Sequence, residues 1–168
     1  MKLEEAKGQF IQTWGVLGSQ WGINRTMAQI HALLLTAPTE LSADDIMTQL
    51  QISRGNANMN IRELIDWGIV EKVLIPGERK EFFKAEKDIW KVAMRIISER
   101  KKRELDPMIS VLEKLSQVEE DKNDAEVKAF TDMVGQLQKF TKQADKTLGG
   151  LVKADEHWFT GTLMKLFK

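Results

Sequence analysis

The feature that most constrains the fold is one unbroken block, residues 41–86, LSADDIMTQLQISRGNANMNIRELIDWGIVEKVLIPGERKEFFKAE. Two short helical patterns meet there at a tight turn, and a β-hairpin with a polar tip follows at once. Ser42 is a good N-cap, and Asp45 three residues on makes a capping box. Asp44 and Asp45 both suit the positive end of the helix dipole. Ile46, Met47 and Leu50 repeat at helical spacing and give one apolar face. Gln51 and Ile52 are the expected turn. Ser53 then caps a second helix, expected to run to about Trp67 and to stop at Gly68, a left-handed terminator. Residues 69–75 are rich in β-branched side chains, and residues 81–85 hold Phe82 and Phe83. Between them PGERK supplies Pro76 and Gly77 for a turn. Helix, turn, helix and hairpin in that order are the layout of a winged helix-turn-helix, a device for placing one helix in the major groove of DNA.

The second helix carries the chemistry. Ala57, Ile61, Leu64 and Ile65 fall on one stripe. The same wheel sets Gly55, Asn56, Met59 and Arg62 on the far side, with Arg54 and Asn58 near the helix start. Asn bonds adenine through both its amide groups, Arg bonds guanine with its fork, and Met59 suits a thymine methyl. Gly55 lets the backbone approach a phosphate, and a helix N-terminus attracts anions. A merely solvated helix also carries Asn and Arg. Three Asn in five residues, however, is poor helix composition, and locally unfavourable choices concentrate where function demands them. The expected DNA contacts are therefore Ser53, Arg54, Gly55, Asn56, Asn58, Met59 and Arg62. Arg79 and Lys80 at the hairpin tip join them, because such residues reach phosphates or the minor groove.

These residues support a family resemblance. LSADDI, ISRGNANMNIRELIDWGIVEKV and GERKEFFKAE resemble the GbsR/MarR-type winged helix-turn-helix transcriptional regulators. The family pattern is similar to SxGNxSxNxRELxxxGxVxxV, followed by a wing of the form G(D/E)RKxx(Y/F)xAE. The match covers most of residues 28–86 and is most specific in RGNANMNIREL. Asn58 stands where Ser is usual, and Phe82 and Phe83 where Tyr is frequent, so the resemblance leaves open an altered preferred site. It implies a dimer of winged helices that represses or activates genes by binding specific double-stranded DNA, in some members under a small-molecule effector.

Charge argues the other way. The chain has 25 Lys and Arg against 25 Asp and Glu. Residues 24–86 hold seven basic side chains against nine acidic ones, a balance of minus two. Nucleic-acid binders usually carry a basic footprint. The reconciling expectation is local: Arg54, Arg62, Arg79 and Lys80 fall on or beside the reading face. Asp44, Asp45, Asp66, Glu71 and Glu86 mostly fall away from it.

The flanks read as helices. Phe10, Ile11, Trp14, Leu17 and Trp21 recur at helical spacing over residues 4–22, and Ile30, Leu33, Leu34 and Leu35 over residues 24–36. Asp88 caps a long helix with Ile89, Val92, Ala93, Ile96 and Ile97 on one face. The charged run 100–104 interrupts it, and Pro107 starts or kinks a stretch striped with Met108, Ile109, Leu112 and Leu115. Residues 119–124 are a polar connector. From Asp124 a further helix carries Phe130, Met133, Val134, Leu137, Phe140, Ala144 and Leu148, with Gly149 and Gly150 expected to end or bend it. The tail holds Trp158, Phe159, Leu163, Leu166 and Phe167. So much apolar stripe suggests partner-helix packing in a homodimer; a small bundle on one monomer is the alternative.

The expected fold is mainly α (α+β), a winged helix-turn-helix with flanking dimerisation helices. The expected divisions are an N-terminal dimerisation helix at 1–23, the DNA-binding domain at 24–86 and a C-terminal helical dimerisation region at 87–168. With no Cys there is no disulfide framework, and the lone His31 and His157 make no metal cluster, so no cofactor or metal is expected. His31 reads as a packed or surface histidine. No apolar run spans a membrane and the start MKLEEAKGQF is not a signal peptide, which points to a cytoplasmic protein. No nucleophile–base pair, phosphate loop or paired carboxylates suggest an enzyme. Five Trp raise the idea of an aromatic effector box, although core packing explains scattered Trp better. The rival function is a winged-helix protein-interaction module without specific DNA binding.

Overall fold

The computed structural model describes residues 1–119 and 124–166, with side chains described only as far as residue 153. Most of the polar connector at 119–124 and the apolar side chains of the tail, Trp158 to Phe167, thus lie outside the described residues. The chain falls into two compact units, Met1–Val92 and the residues from Ala93 on.

The first unit opens with α1 (Leu3–Gln20) and α2 (Arg25–Thr36). Asn24 caps α2 by accepting hydrogen bonds from the Thr26 and Met27 amides. The two helices approach closely because glycines face the contact. A Cβ on Gly18 would stand 2.6 Å from Ala28 Cβ, and one on Gly15 would stand 2.7 Å from Gln29 Cγ. Ile11, Gly15 and Gly18 are the buried residues of α1. Leu17 and Trp21 are exposed. Placed in one unit with the winged domain, α1 does not stand apart from it.

β1 (Leu41–Ser42) leads into α3 (Ala43–Leu50), whose Ser42–Asp45 capping box forms as expected. Gln51 takes the left-handed conformation at φ 53° and makes the turn. α4 (Arg54–Asp66) follows, with Ser53 Oγ accepting the Asn56 amide and Gly68 at φ 71° beyond its end. β2 (Val70–Val73) and β3 (Phe82–Ala85) form the wing hairpin. The sheet has three strands in the order β1–β3–β2, all antiparallel. β1 was not expected from the sequence. Two residues are too few to show the alternation that marks a strand.

The core of this unit is α2. It packs against α1, α3, α4 and β3. Met27, Ile30, Ala32 and Leu34 from α2 meet Ile46, Ala57, Ile61, Leu64 and Phe83 in its buried interior. Lys87 adds a long-range tie. Its Nζ donates to the Leu34 and Leu35 carbonyls at 2.7 Å each and to Ala37 O at 3.1 Å. That satisfies the orphan carbonyls at the C-terminus of α2 with a cation, where the dipole favours one.

Asp88 caps α5 (Ile89–Arg100) through the Trp90 and Lys91 amides. The charged run does not end the helix. It widens into a π-helical stretch, Lys101–Leu105, and passes into α6 (Asp106–Leu115), with Pro107 in its first turn, where a missing N–H is tolerated. Lys101 Nζ bridges Asp106 at 3.0 Å and Asp145 at 2.7 Å. Within the second unit α6 packs on α7 (Ala125–Leu166), burying Leu112, Val134 and Thr141. Gly149 and Gly150 do not terminate α7, which runs on through them. Each glycine costs about 1 kcal/mol against alanine, which a long cooperative helix absorbs.

Candidate nucleic-acid interface

α4 divides into two faces. Ala57, Asn60, Ile61 and Leu64 are buried against the core. Arg54, Gly55, Asn58, Met59 and Arg62 are exposed on the other side. Met59 is 58% exposed, a large apolar side chain that no neighbour covers. Ser53 is exposed as well, its oxygen engaged in the cap and its hydroxyl proton still able to be donated.

The three asparagines part company. Asn58 points outward. Asn60 is fully buried, donating from Nδ2 to Asn56 O at 2.8 Å and to Asn56 Oδ1 at 2.7 Å. Its own Oδ1 has no hydrogen-bond partner among the described residues. Asn56 is half-buried, with its side-chain oxygen turned to that internal bond. Part of the unusual Asn content of α4 thus serves the helix itself.

Gly55 has the opposite environment to Gly15 and Gly18. A Cβ built on it meets nothing within 4 Å, and its φ is not positive. Neither packing nor backbone geometry within the chain calls for glycine there.

The wing holds its strand charges internally. Lys84 pairs with Glu71 at 2.8 Å and Lys72 pairs with Glu81, both across the β2–β3 hairpin. At the tip, Gly77 takes φ 88° and Glu78 N closes the turn on Ile75 O at 3.1 Å. Arg79 is exposed and makes no ion pair among the described residues.

Lys80 and Arg54 converge on one acid. Asp44 Oδ1 accepts from Arg54 Nη2 at 3.2 Å, and Asp44 Oδ2 meets Lys80 Nζ at 3.1 Å. The hydrogen bond and charge of Asp44 raise the Lys80 pKa above its ordinary value. This corrects the sequence expectation that Asp44 falls away from the reading face. The register explains it. β1 pairs with β3 as Leu41 with Phe83 and Ser42 with Phe82. That pairing sets the start of α3 beside the wing, where Asp44 comes within reach of Lys80. Without β1 in view, nothing in the sequence places α3 beside the wing tip. Asp45 is occupied differently: hydrogen bonds from the Ser42 hydroxyl and amide hold its carboxyl below the usual range.

His31 lies inside the packed unit, 6.4 Å from the Trp14 ring by centroids. Burial, and secondarily the Lys87 charge, push its pKa from 6.5 down to about 4. Of the packed and surface positions that the sequence left open for it, it takes the packed one. Of the tryptophans, Trp67 is buried, while Trp21 and Trp90 are exposed. No group of His, Asp or Glu that could hold a metal occurs among the described residues. No helix there is long and apolar enough to cross a membrane.

With the geometry in place, the chain can be set beside known proteins. No family model matches it. The HTH-type transcriptional repressor GbsR of Bacillus subtilis (strain 168) is 24% identical over 111 residues, which is 66% of this chain and 61% of GbsR. The chain resembles the GbsR kind of winged helix-turn-helix regulator. The HTH-type transcriptional regulator MmpR5 of Mycobacterium tuberculosis (strain ATCC 25618 / H37Rv) is 26% identical over 77 residues, 45% of this chain and 47% of MmpR5. The GbsR-like alignment thus spans about three fifths of that relative, and the second about half of its own. A crystal structure described as a transcriptional regulator superposes with a TM-score of 0.58 at 18% identity, covering 86% of this chain and 98% of that one. It confirms the winged helix-turn-helix fold, mainly α with a small antiparallel sheet.

Proposed function

We propose that this chain is a sequence-specific DNA-binding transcriptional regulator, acting as a homodimer and repressing its target. One observation carries the reading: α4 presents Arg54, Gly55, Asn58, Met59 and Arg62 outward, none of them buried among the described residues, and Arg54 holds only an exposed pair to Asp44. Arg62 and Asn58 are the base readers, Met59 a methyl contact, and Ser53, Arg54 and the α4 N-terminus phosphate contacts. Asn56 contributes from the edge of the face, through whatever its internal bond to Asn60 leaves free. Arg79 and Lys80 on the wing supply affinity, since long cations at a hairpin tip reach phosphates without ordering a base contact.

Exposed apolar stripes support the dimer. Leu17 and Trp21 stand out on α1, Met108, Val111 and Leu115 on α6, and Phe130, Met133, Leu137 and Phe140 on α7. Two copies burying such stripes about a two-fold axis would set the recognition helices roughly 10 base pairs apart, one turn of DNA. A small-molecule effector acting on that dimer fits the same reading.

Selection of bound duplexes from a random library tests the function. Enrichment of a palindromic site with half-sites about one turn apart is expected. No enrichment favours a winged-helix interaction module. Sedimentation at micromolar concentration tests the dimer, and a monomer with and without DNA rules it out.

A further inference from the structure

Asp44 is held by two of the cations that the proposed function assigns to DNA phosphates. Its two carboxylate oxygens are taken separately, one by Arg54 from the first turn of α4 and one by Lys80 from the wing tip, at 3.2 and 3.1 Å. Two cations from different elements thus converge on one anion. All three side chains remain accessible: Arg54 is 73% exposed, Lys80 60% and Asp44 48%. Exposed pairs of this kind are weak, so the carboxylate is exchangeable. The surrounding charges do not help an incoming anion. Asp45 and Glu78 add negative potential at Lys80. Arg79 is the exposed cation beside it without an ion pair among the described residues.

We infer that Asp44 is a built-in competitor for the DNA backbone, pairing with Arg54 and Lys80 in the free protein and setting how strongly the chain binds DNA irrespective of sequence. The inference rests on the DNA-binding reading above. Its physical logic is that a phosphate entering the Arg54–Lys80 clamp must replace Asp44. The carboxylate then stays nearby as an uncompensated like charge. Every duplex meets this repulsion, while only a cognate site offsets it through base contacts on Asn58 and Arg62. A repulsive element that all sites share cancels in the difference between specific and random affinities; it lowers both, so random DNA is held weakly while a cognate site is still bound through its base contacts. It also accounts for a DNA-binding face in a segment whose net charge is minus two.

The test is the affinity of Asp44→Asn for one selected and one random duplex across a salt series. The variant should bind random DNA roughly fivefold tighter at low salt, with a salt slope steeper by about one unit per protomer, because one more net cation displaces counterions. The gain should vanish when Arg54 and Lys80 are both alanine. Asp44→Ser, equally suited to a first helical turn, repeats the measurement if the Asn variant folds poorly. Unchanged random affinity in a folded Asp44 variant overturns the inference while leaving the DNA reading intact, and so does a gain that persists without Arg54 and Lys80. Failure of the wild-type protein and every variant to bind either duplex overturns both.

Discussion

Two helix surfaces in the first unit use awkward residues for opposite reasons. Along the α1–α2 contact, Gly18 is required by its neighbour, since a Cβ there would collide with Ala28 Cβ, while a Cβ on Gly15 would push aside the Gln29 side chain. On the outer face of α4, Gly55 meets nothing and Met59 is left uncovered. Glycine in a helix costs stability in both places. In the first the cost is offset by close packing. In the second nothing among the described residues offsets it. An unfavourable residue explained by its contacts belongs to the fold. One that the fold leaves unexplained marks a surface shaped for something outside the chain.

The sharpest way to break this contrast is Gly18→Leu. A bulky side chain where a single Cβ already lies 2.6 Å from Ala28 Cβ must separate α1 from α2. A loss of about 3 kcal/mol in denaturant unfolding is expected, at the upper end of overpacking costs. A loss under about 0.5 kcal/mol, the usual range for exposed positions, would mean that the contact is not tight.

His31 probes the same packed region through pH. Its pKa is near 6.5 unfolded and about 4 in the folded chain, chiefly because burial disfavours the charged ring. Between those values the unfolded chain binds the proton and the folded chain does not. Stability is therefore whole above pH 6.5 and lost as pH falls toward 4, by on the order of 3 kcal/mol across the window. Unfolding midpoints of wild type and His31→Leu between pH 4 and 7.5 check this. The variant should lose that part of the slope.

At the wing tip the change should appear in binding and not in stability. Arg79→Ala with Lys80→Ala removes wing-tip cations that the strands do not use. Binding to selected and random duplexes should weaken alike, and the salt slope should fall by about one unit for each phosphate no longer neutralised. Weakening of selected binding alone would show that the tip reads bases in the minor groove.

Gly55→Ala is the smallest change and the most discriminating. With open space at the Cβ, alanine should stabilise the fold by about 0.5–1 kcal/mol. On the proposed reading DNA affinity should fall in the same variant, because a methyl would stand where that reading brings a backbone phosphate. Gain of stability with unchanged affinity would remove Gly55 from the interface.

Much of this was legible in the sequence because its signals are local. Ser42 with Asp45 and Ser53 mark helix starts through hydrogen bonds that close within three residues. Gly68 and Gly77 take the positive φ that their positions suggest. The 3.6-residue period separated Ala57, Ile61 and Leu64 from Met59 and Arg62 correctly. What escaped depends on distant partners. β1 exists only because β3 lies beside it, and with β1 hidden the meeting of Asp44 with Lys80 was hidden too. Lys87 reaches the end of α2 across some fifty residues of sequence. The inward turn of Asn56 toward Asn60 follows from side-chain hydrogen bonding that a helical wheel does not display. Gly149 and Gly150 misled because a glycine signals a helix end only when the chain beyond it turns away, and here α7 continues.

The claim that the outer face of α4 reads DNA is tested most directly by Arg62→Ala on a selected duplex, with affinity and thermal midpoint measured on the same preparation. Arg62 is exposed, so the midpoint should hold. Affinity for the selected site should fall by about 1–3 kcal/mol, with discrimination relaxed at one base pair in each half-site. An unaltered affinity at an unaltered midpoint would contradict the assignment of this face to base recognition.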